Sequence, residues 1–274
     1  MKKIAVVGLG IIGASISGAL TAAGYSVYGA DLNKETVEKA KERGYIRGEA
    51  SNLAEFDSVF IAVPPKAAIE ILQSSTFQKG AFVADICGVK EEIERAVYAE
   101  KREFRYLGLH PMAGKETSGI ESASPALFQG ANLVMTVCGQ TEKSAREEGE
   151  EYAKAMGFGR VVVCTAEEHD KKIALTSQLA HVVSNAYVKS GEIEGCEGFT
   201  GGSFQDMTRI AGVDENIWTQ LYGCNRGNLL KELSGLISHL TAYETALKNK
   251  DDKLLSKLLK EGRLIREKIK TKEE

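Results

Sequence analysis

Lys3-Ile4-Ala5-Val6-Val7-Gly8-Leu9-Gly10-Ile11-Ile12-Gly13 stands at the head of the chain, and these residues decide the fold. Lys3 to Val7 is a short apolar run of strand type. Ile11 to Ala23 has a helical pattern. A G-x-G-x-x-G string carries little weight alone, but between a strand and a helix it is the turn that binds a dinucleotide. Gly8 permits the tight turn, Gly10 lets the backbone approach a pyrophosphate, and Gly13 allows close helix–strand packing. The helix begins at Ile11 and Ile12, where free N–H groups and the positive dipole end favour phosphate oxygens.

Reading outward, a second strand, Ser26 to Ala30, leads to Asp31, about 20 residues beyond the turn, where such folds place an acid. Its carboxylate can accept hydrogen bonds from ribose hydroxyls and repels a 2′-phosphate. No arginine follows it directly and Lys34 is the nearest cation, so the expected cofactor is NAD rather than NADP. Further strand-like runs are Ser58 to Val63, Ala81 to Asp85, Tyr106 to Leu109, Asn132 to Val137 and Arg160 to Cys164. Helical patterns at Lys34 to Arg43, Lys66 to Gln73 and Glu142 to Met156 alternate with them. Such alternation implies α/β architecture with a doubly wound parallel sheet, the Rossmann type. Val63-Pro64-Pro65 closes the third run at the ligand crevice, where a proline turn can pack on the cofactor.

After Ala166 the strand signal stops. His169 to Ser190 carries Ile173, Leu175, Leu179, Val182, Val183 and Ala186 at helical spacing. A glycine-rich break at 191–202 follows, then helical patterns at Ser203 to Ile210, Glu215 to Leu247 and Asp251 to about Lys270. Lys268 to Glu274 reads as a frayed, solvated end. The expected domains are 1–165, binding the dinucleotide, and 166–274, helical. Helices this apolar cannot all be hidden in so small a domain, and a homodimer through it is expected.

Composition narrows the class further. The 274 residues carry a net charge of only −3, which asks for no polyanion and argues against a nucleic-acid partner. No apolar run reaches the roughly 18 to 20 residues of a membrane span. Met1-Lys2-Lys3 and the following apolar run have the look of a signal peptide, but Gly8 and Gly10 break the run. Cys87, Cys138, Cys164, Cys196 and Cys224 are scattered without a C-x-x-C pair, so neither a metal site nor a disulfide framework is expected, and a reducing cytoplasm is.

The chemistry is expected just after the fifth strand, in Leu109-His110-Pro111-Met112-Ala113-Gly114-Lys115-Glu116-Thr117-Ser118-Gly119. A histidine at a strand's carboxyl end, beside the cofactor crevice, is a candidate general base, since an imidazole with a pKa near 6.5 suits proton transfer at neutral pH.

This segment, with the glycine turn, Leu127-Phe128, His169-Asp170 and the stretch 201–211, resembles the prephenate and arogenate dehydrogenases of tyrosine biosynthesis over nearly the whole chain. The resemblance is to the short members without a regulatory domain. It implies an NAD-dependent oxidative decarboxylation of a cyclohexadienyl substrate, prephenate giving 4-hydroxyphenylpyruvate. His110 inherits the role of the base on the ring hydroxyl, and Gly114 lies in the loop that lines the substrate. In Asp206-Met207-Thr208-Arg209-Ile210-Ala211, Arg209 inherits a carboxylate, which its planar fork can grip with two bonds. His181, in Ser177-Gln178-Leu179-Ala180-His181, matches the second histidine of the family's Ser-His-Leu-Pro-His and is implied to face the substrate. Trp218 stands where many prephenate-type members carry tryptophan.

The chain also departs from the pattern. Gln178 replaces the first histidine of that string and Ala180 its proline. In Asp85-Ile86-Cys87-Gly88-Val89-Lys90, Gly88 replaces a serine implied to contact the histidine and the substrate. Gln205 stands where arginine is usual. His169, Asp170 and His239 read as structural, the first two as capping and helix-dipole residues.

Arogenate is the nearest alternative substrate. A β-hydroxyacid dehydrogenase or imine reductase shares the two-domain shape but does not account for His-Pro-Met-Ala-Gly. A non-catalytic NAD-binding sensor is the alternative from another class, suggested by Gly88. No room remains for an appended regulatory domain, so inhibition by tyrosine is expected to be competitive.

Overall fold

The computed structural model describes residues 2–114, 117 and 119–273, without the side chains of 270–273. Lys115, Glu116, Ser118 and Glu274 therefore lie outside the described residues. The chain divides into two compact units, Met1–Arg226 and Gly227–Glu274.

The first unit opens with β1 (Lys3–Val7), α1 (Ile11–Ala22), β2 (Ser26–Ala30), α2 (Lys34–Glu42), β3 (Ser58–Ile61), α3 (Pro65–Ser74), β4 (Phe82–Asp85), α4 (Glu91–Tyr98) and β5 (Arg105–Pro111). It continues with β6 (Asn132–Thr136), α5 (Lys143–Met156), β7 (Arg160–Cys164), α6 (Ala166–Ile173), a π-helical turn at Ala174–Leu179, and α7 (Ala180–Tyr187). After the glycine-rich segment come α8 (Gly202–Thr208) and α9 (Glu215–Cys224). The central strands β3 and β4 are buried at every position, as crossover helices on both faces require.

The seven strands lie in the order β2-β1-β3-β4-β5-β6-β7. The first five are parallel, and the order reverses between β1 and β3, which makes their carboxyl ends the ligand crevice. The expectation of a parallel sheet needs one correction, because β6 runs antiparallel to β5 and β7 follows β6. A parallel neighbour needs a crossover to bring the chain back across the sheet. Among the described residues of the 112–131 link the only helical element is a 3₁₀ turn, Ile120–Ser122, and β6 enters from the end where β5 stops. The pairing runs from Gly108↔Thr136 to Pro111↔Leu133, using only the last four residues of β5. Cys164 pairs Thr136, so β7, running opposite to β5, ends level with Gly108, and α6 starts two residues later.

Two other readings change. The helix expected over 169–190 carries the π turn in its middle, and the single helical pattern from Glu215 is broken at Asn225. The second unit contains most of α10 (Arg226–Lys248) and α11 (Asp252–Glu273), joined at Lys250, whose φ is +54°. α11 is helical to Glu273, and Glu274, the last residue of the end expected to fray, lies outside the described residues. Leu230, Ile237, Leu240 and Leu247 on α10 and Leu259, Leu264, Ile265 and Ile269 on α11 are exposed. Among the described residues, no helix is long and apolar enough to cross a membrane.

Candidate active site

The glycine turn has the geometry that a pyrophosphate needs. Gly8 sits at φ +88°, a region that side chains avoid, and a Cβ there would strike the carbonyl of Ala62. A Cβ on Gly13 would collide with the Gly8 carbonyl, whereas one on Gly10 would meet nothing within 4 Å. Gly13 is thus needed for packing, and Gly10 for an open approach. No side chain caps the start of α1 and no acid stands in its first turn, so Ile11 and Ile12 begin a helix end suited to an anion.

Asp31 ties this turn to β2. Leu9 N–H donates to its Oδ2 at 2.7 Å and Asn33 N–H to its Oδ1 at 2.9 Å. Each carboxylate oxygen keeps a lone pair for a ribose hydroxyl. Val63 follows β3, Pro64 caps α3 and Pro65 is its first residue. The Val63 Cγ1 lies close to where a Cβ on Gly8 would be. Glycine turn, carboxylate and proline turn are therefore gathered at the crevice, and this donor set fits NAD.

His110 lies at the end of β5, partly buried. Its Nδ1 is 2.8 Å from His169 Nε2, and His169 Nδ1 is 2.6 Å from Asp170 Oδ1. Burial, then the neighbouring His169 and Lys90, hold His110 well below the usual imidazole range. It is therefore neutral at neutral pH and able to accept a proton. A Cβ on Gly88 would lie 3.6 Å from His110 Nε2, an ordinary contact, so position 88 faces that nitrogen.

Behind the histidine is a buried ion pair. The side chains of Lys90 and Asp85 are both 0% exposed and bonded to one another. Asp85 also accepts from Tyr106 Oη at 2.6 Å and from Cys87 N–H at 2.9 Å. Burial and the Asp85 charge push both the Tyr106 hydroxyl and the Cys87 thiol well up, so both stay protonated.

The widened turn at 174–179 sets His181. Its Nδ1 must donate to the Ser177 carbonyl, 3.0 Å away, which leaves Nε2 for a ligand. The His181 ring lies against Trp218, with centroids 3.9 Å apart. Both line a cavity of about 520 Å³ with Ile11, Ile12, Ala113, Gly114, Thr117 and Asp214. Arg209 lies at the carboxyl end of α8, one residue before Ile210, which lines the cavity; Arg209 itself does not. Ser184 and Asn185 of α7 hold that segment through the carbonyls of Met207 and Ala211.

His169 and Asp170 are not simply caps. Asp170 does accept the main-chain N–H of Lys90 and Glu91 at the start of α4, but His169 meets His110. Sequence reasoning missed this pairing, the Lys90–Asp85 pair and the part played by Gln178. Gln178 Oε1 accepts from Asn225 Nδ2 at 2.8 Å, and that amide also donates to the Asp170 carbonyl at 2.8 Å. One signal was available: His169-Asp170 lies within the first helix after the last strand.

Ile11 and Ile12 of the phosphate-binding turn share a cavity wall with His181 and Trp218, so a dinucleotide and a second ligand meet there; this defines a dinucleotide-dependent oxidoreductase. The chain belongs to the prephenate dehydrogenase family, whose nucleotide-binding domain matches residues 16–164 and whose dimerization domain matches residues 165–261. It is 29% identical to a prephenate dehydrogenase of Lactococcus lactis subsp. cremoris, over 97% of this chain and 77% of that protein. It is 28% identical to a cyclohexadienyl dehydrogenase of Zymomonas mobilis subsp. mobilis, over 98% and 97%. The crystal structure of the prephenate dehydrogenase from A. aeolicus with hydroxyphenyl propionate and NAD+ superposes with a TM-score of 0.85, at 27% identity, covering 98% of each chain. The chain is an NAD-dependent oxidoreductase.

Proposed function

We propose that this enzyme converts prephenate to 4-hydroxyphenylpyruvate and CO2 in tyrosine biosynthesis, as a cytoplasmic homodimer. The observation that carries the reading is His110: a neutral imidazole at the end of β5, with Nε2 on the side facing Gly88. Residues 1–165 hold the cofactor through Gly8, Gly10, Ile11, Ile12, Gly13 and Asp31, with Val63, Pro64 and Pro65 packed alongside. Residues 166–274 supply substrate contacts and the dimer. The exposed apolar residues of α10 and α11 support that division of labour.

NAD, when bound, supplies the acceptor for the hydride that leaves the ring carbinol carbon. The residues of the chain do the rest. His110 Nε2 takes the hydroxyl proton as the carbinol becomes a carbonyl. The ring carboxylate bond breaks, its electron pair enters the ring, and CO2 departs as the ring becomes aromatic. A positioned base of this kind is worth about 10²- to 10⁴-fold in rate. His181, paired with Trp218, presents Nε2 to the substrate, Gly114 keeps the loop wall open, and Arg209 supplies a cation from the end of α8. Tyrosine resembles the aromatic product and competes for the same cavity.

The test follows reduced nicotinamide by absorbance, with prephenate and arogenate each offered with NAD and with NADP. Prephenate with NAD is the expected pair, His110→Asn removes turnover, and tyrosine raises KM while leaving kcat unchanged. Faster turnover of arogenate moves the substrate and keeps the mechanism. NAD binding without turnover of either substrate rejects the reading in favour of a sensor.

A further inference from the structure

We propose that His169 and Asp170 are positioning residues that fix His110 in the tautomer whose Nε2 is free to accept a proton, and that Asn225 and Gln178 hold this pair in place. The proposal rests on the reading of His110 as the base.

The donors can be followed one by one. Asp170 accepts the N–H of Lys90 and of Glu91, each at 2.9 Å, and these main-chain groups can only donate. The carboxylate therefore acts as an acceptor toward His169, 2.6 Å away, and His169 Nδ1 carries the hydrogen. A neutral imidazole has a single N–H, so His169 Nε2 is an acceptor. His110 Nδ1, 2.8 Å from it, must then donate, which leaves the lone pair of His110 on Nε2, the nitrogen beside Gly88.

The placement of the second imidazole has a chemical reason. A carboxylate directly behind His110 would favour the protonated ring and spoil the resting base. A histidine between them orients the ring and keeps the carboxylate out of direct contact with it. When His110 takes the substrate proton, its Nδ1–H bond to His169 strengthens and the Asp170 charge helps to stabilise the new cation. The aspartate of a serine-protease triad acts in the same way but without the spacer. The charged groups around the pair, Lys90 and Asp85 from the β4–α4 segment and Asp170 from α6, are bonded to one another or to main chain.

The far end of the relay is braced. Asn225, just after α9, donates to the Asp170 carbonyl and to Gln178 Oε1, and Gln178 Nε2 donates to the Leu221 carbonyl at 3.2 Å. Gln178 is only 2% exposed and Asn225 3%. The glutamine thus works from behind, holding α6 to α9, and does not touch the substrate.

Tautomers are read directly by long-range ¹H–¹⁵N spectra of the NAD-bound enzyme labelled at its four histidines. The His110 signals are assigned by their loss in His110→Asn. The expected result is a proton on His110 Nδ1 and none on Nε2; a proton on Nε2 overturns the proposal. Kinetics give a second arm. His169→Leu lowers kcat about 100-fold, with substrate KM and NAD affinity changed less than about twofold. His169→Gln, whose amide oxygen can accept the same N–H, restores at least about tenfold of that loss. Equal losses in the two variants count against the relay. Turnover that survives His110→Asn rejects the base itself, whereas loss in His110→Asn with none in His169→Leu rejects the relay alone.

Discussion

Replacing Lys90 by methionine tests the electrostatic floor of the site. The Lys90 ammonium and the Asp85 carboxylate are wholly buried, and the lysine stem runs past Gly108, where an added Cβ would come within 3.1 Å of Lys90 Cδ. Methionine fills most of that stem, so little packing is lost. The cost comes from Asp85, left as a buried charge with only the Tyr106 hydroxyl and the Cys87 N–H as donors. Removing one partner of a buried pair costs about 3–5 kcal/mol, and two surviving donors place this case near about 3 kcal/mol. For a unit of this size each kcal/mol moves Tm by about 2–4 °C, so the expected loss is about 6–12 °C by calorimetry or circular dichroism. Adding Asp85→Asn to Lys90→Met removes the orphan charge and returns part of the loss. There is also a kinetic sign. Lys90 is one of the causes that hold His110 low, so its removal raises the His110 pKa and moves the acid limb of kcat/KM to higher pH. A Tm loss below about 2 °C, or an acid limb that does not move or moves to lower pH, refutes the reasoning.

Asp31→Asn keeps the shape of the side chain but loses the charge that serves Leu9 N–H and the ribose. With about 1.5–3 kcal/mol at stake in a charge-assisted bond, NAD affinity falls about 10- to 100-fold while NADP affinity falls less, as titration of each cofactor would show. Acid should also weaken the fold. The unfolded imidazole takes a proton below about pH 6.5, whereas the folded His110 resists it. This stability is complete above that pH and is lost as pH falls toward the depressed folded value, so a series of Tm values from pH 7.5 to 5.5 should decline, and less steeply in His110→Asn.

Much of the fold was legible because it is written locally. A turn of three glycines between a strand and a helix, and an acid at the end of the second strand, need no distant partner to be recognised. The direction of β6 was not legible, since no crossover helix stands among the described residues of 112–131 and the sequence there did not announce how the chain returns. The π turn was hidden for a related reason: the apolar spacing from Ile173 to Ala186 fits a regular helix, and the wider turn shows only in the backbone of Ala174–Leu179. His110 was found from its position at a strand end, but His169 was not found as its partner. The two are 59 residues apart, and only the register of β5, β6 and β7 brings them together. Gln178 was legible only as a departure from the family string and proved to be a buried brace. Arg209 entered by resemblance, and the cavity wall is built from its neighbour Ile210 instead.

The short overlap of β5 with β6 has a consequence for how the site can vary. The separation of His110 from His169 is set by a ruler of main-chain hydrogen bonds, Gly108 to Thr136 to Cys164, with α6 starting two residues later. Asn225 and Gln178 brace the α6 end of that measurement. Substitutions along α7, α8 and α9 can therefore reshape the walls that choose a substrate while the base and its partner keep their spacing. A single residue inserted in β6 or β7 would act in the opposite sense, shifting α6 and with it His169 relative to His110.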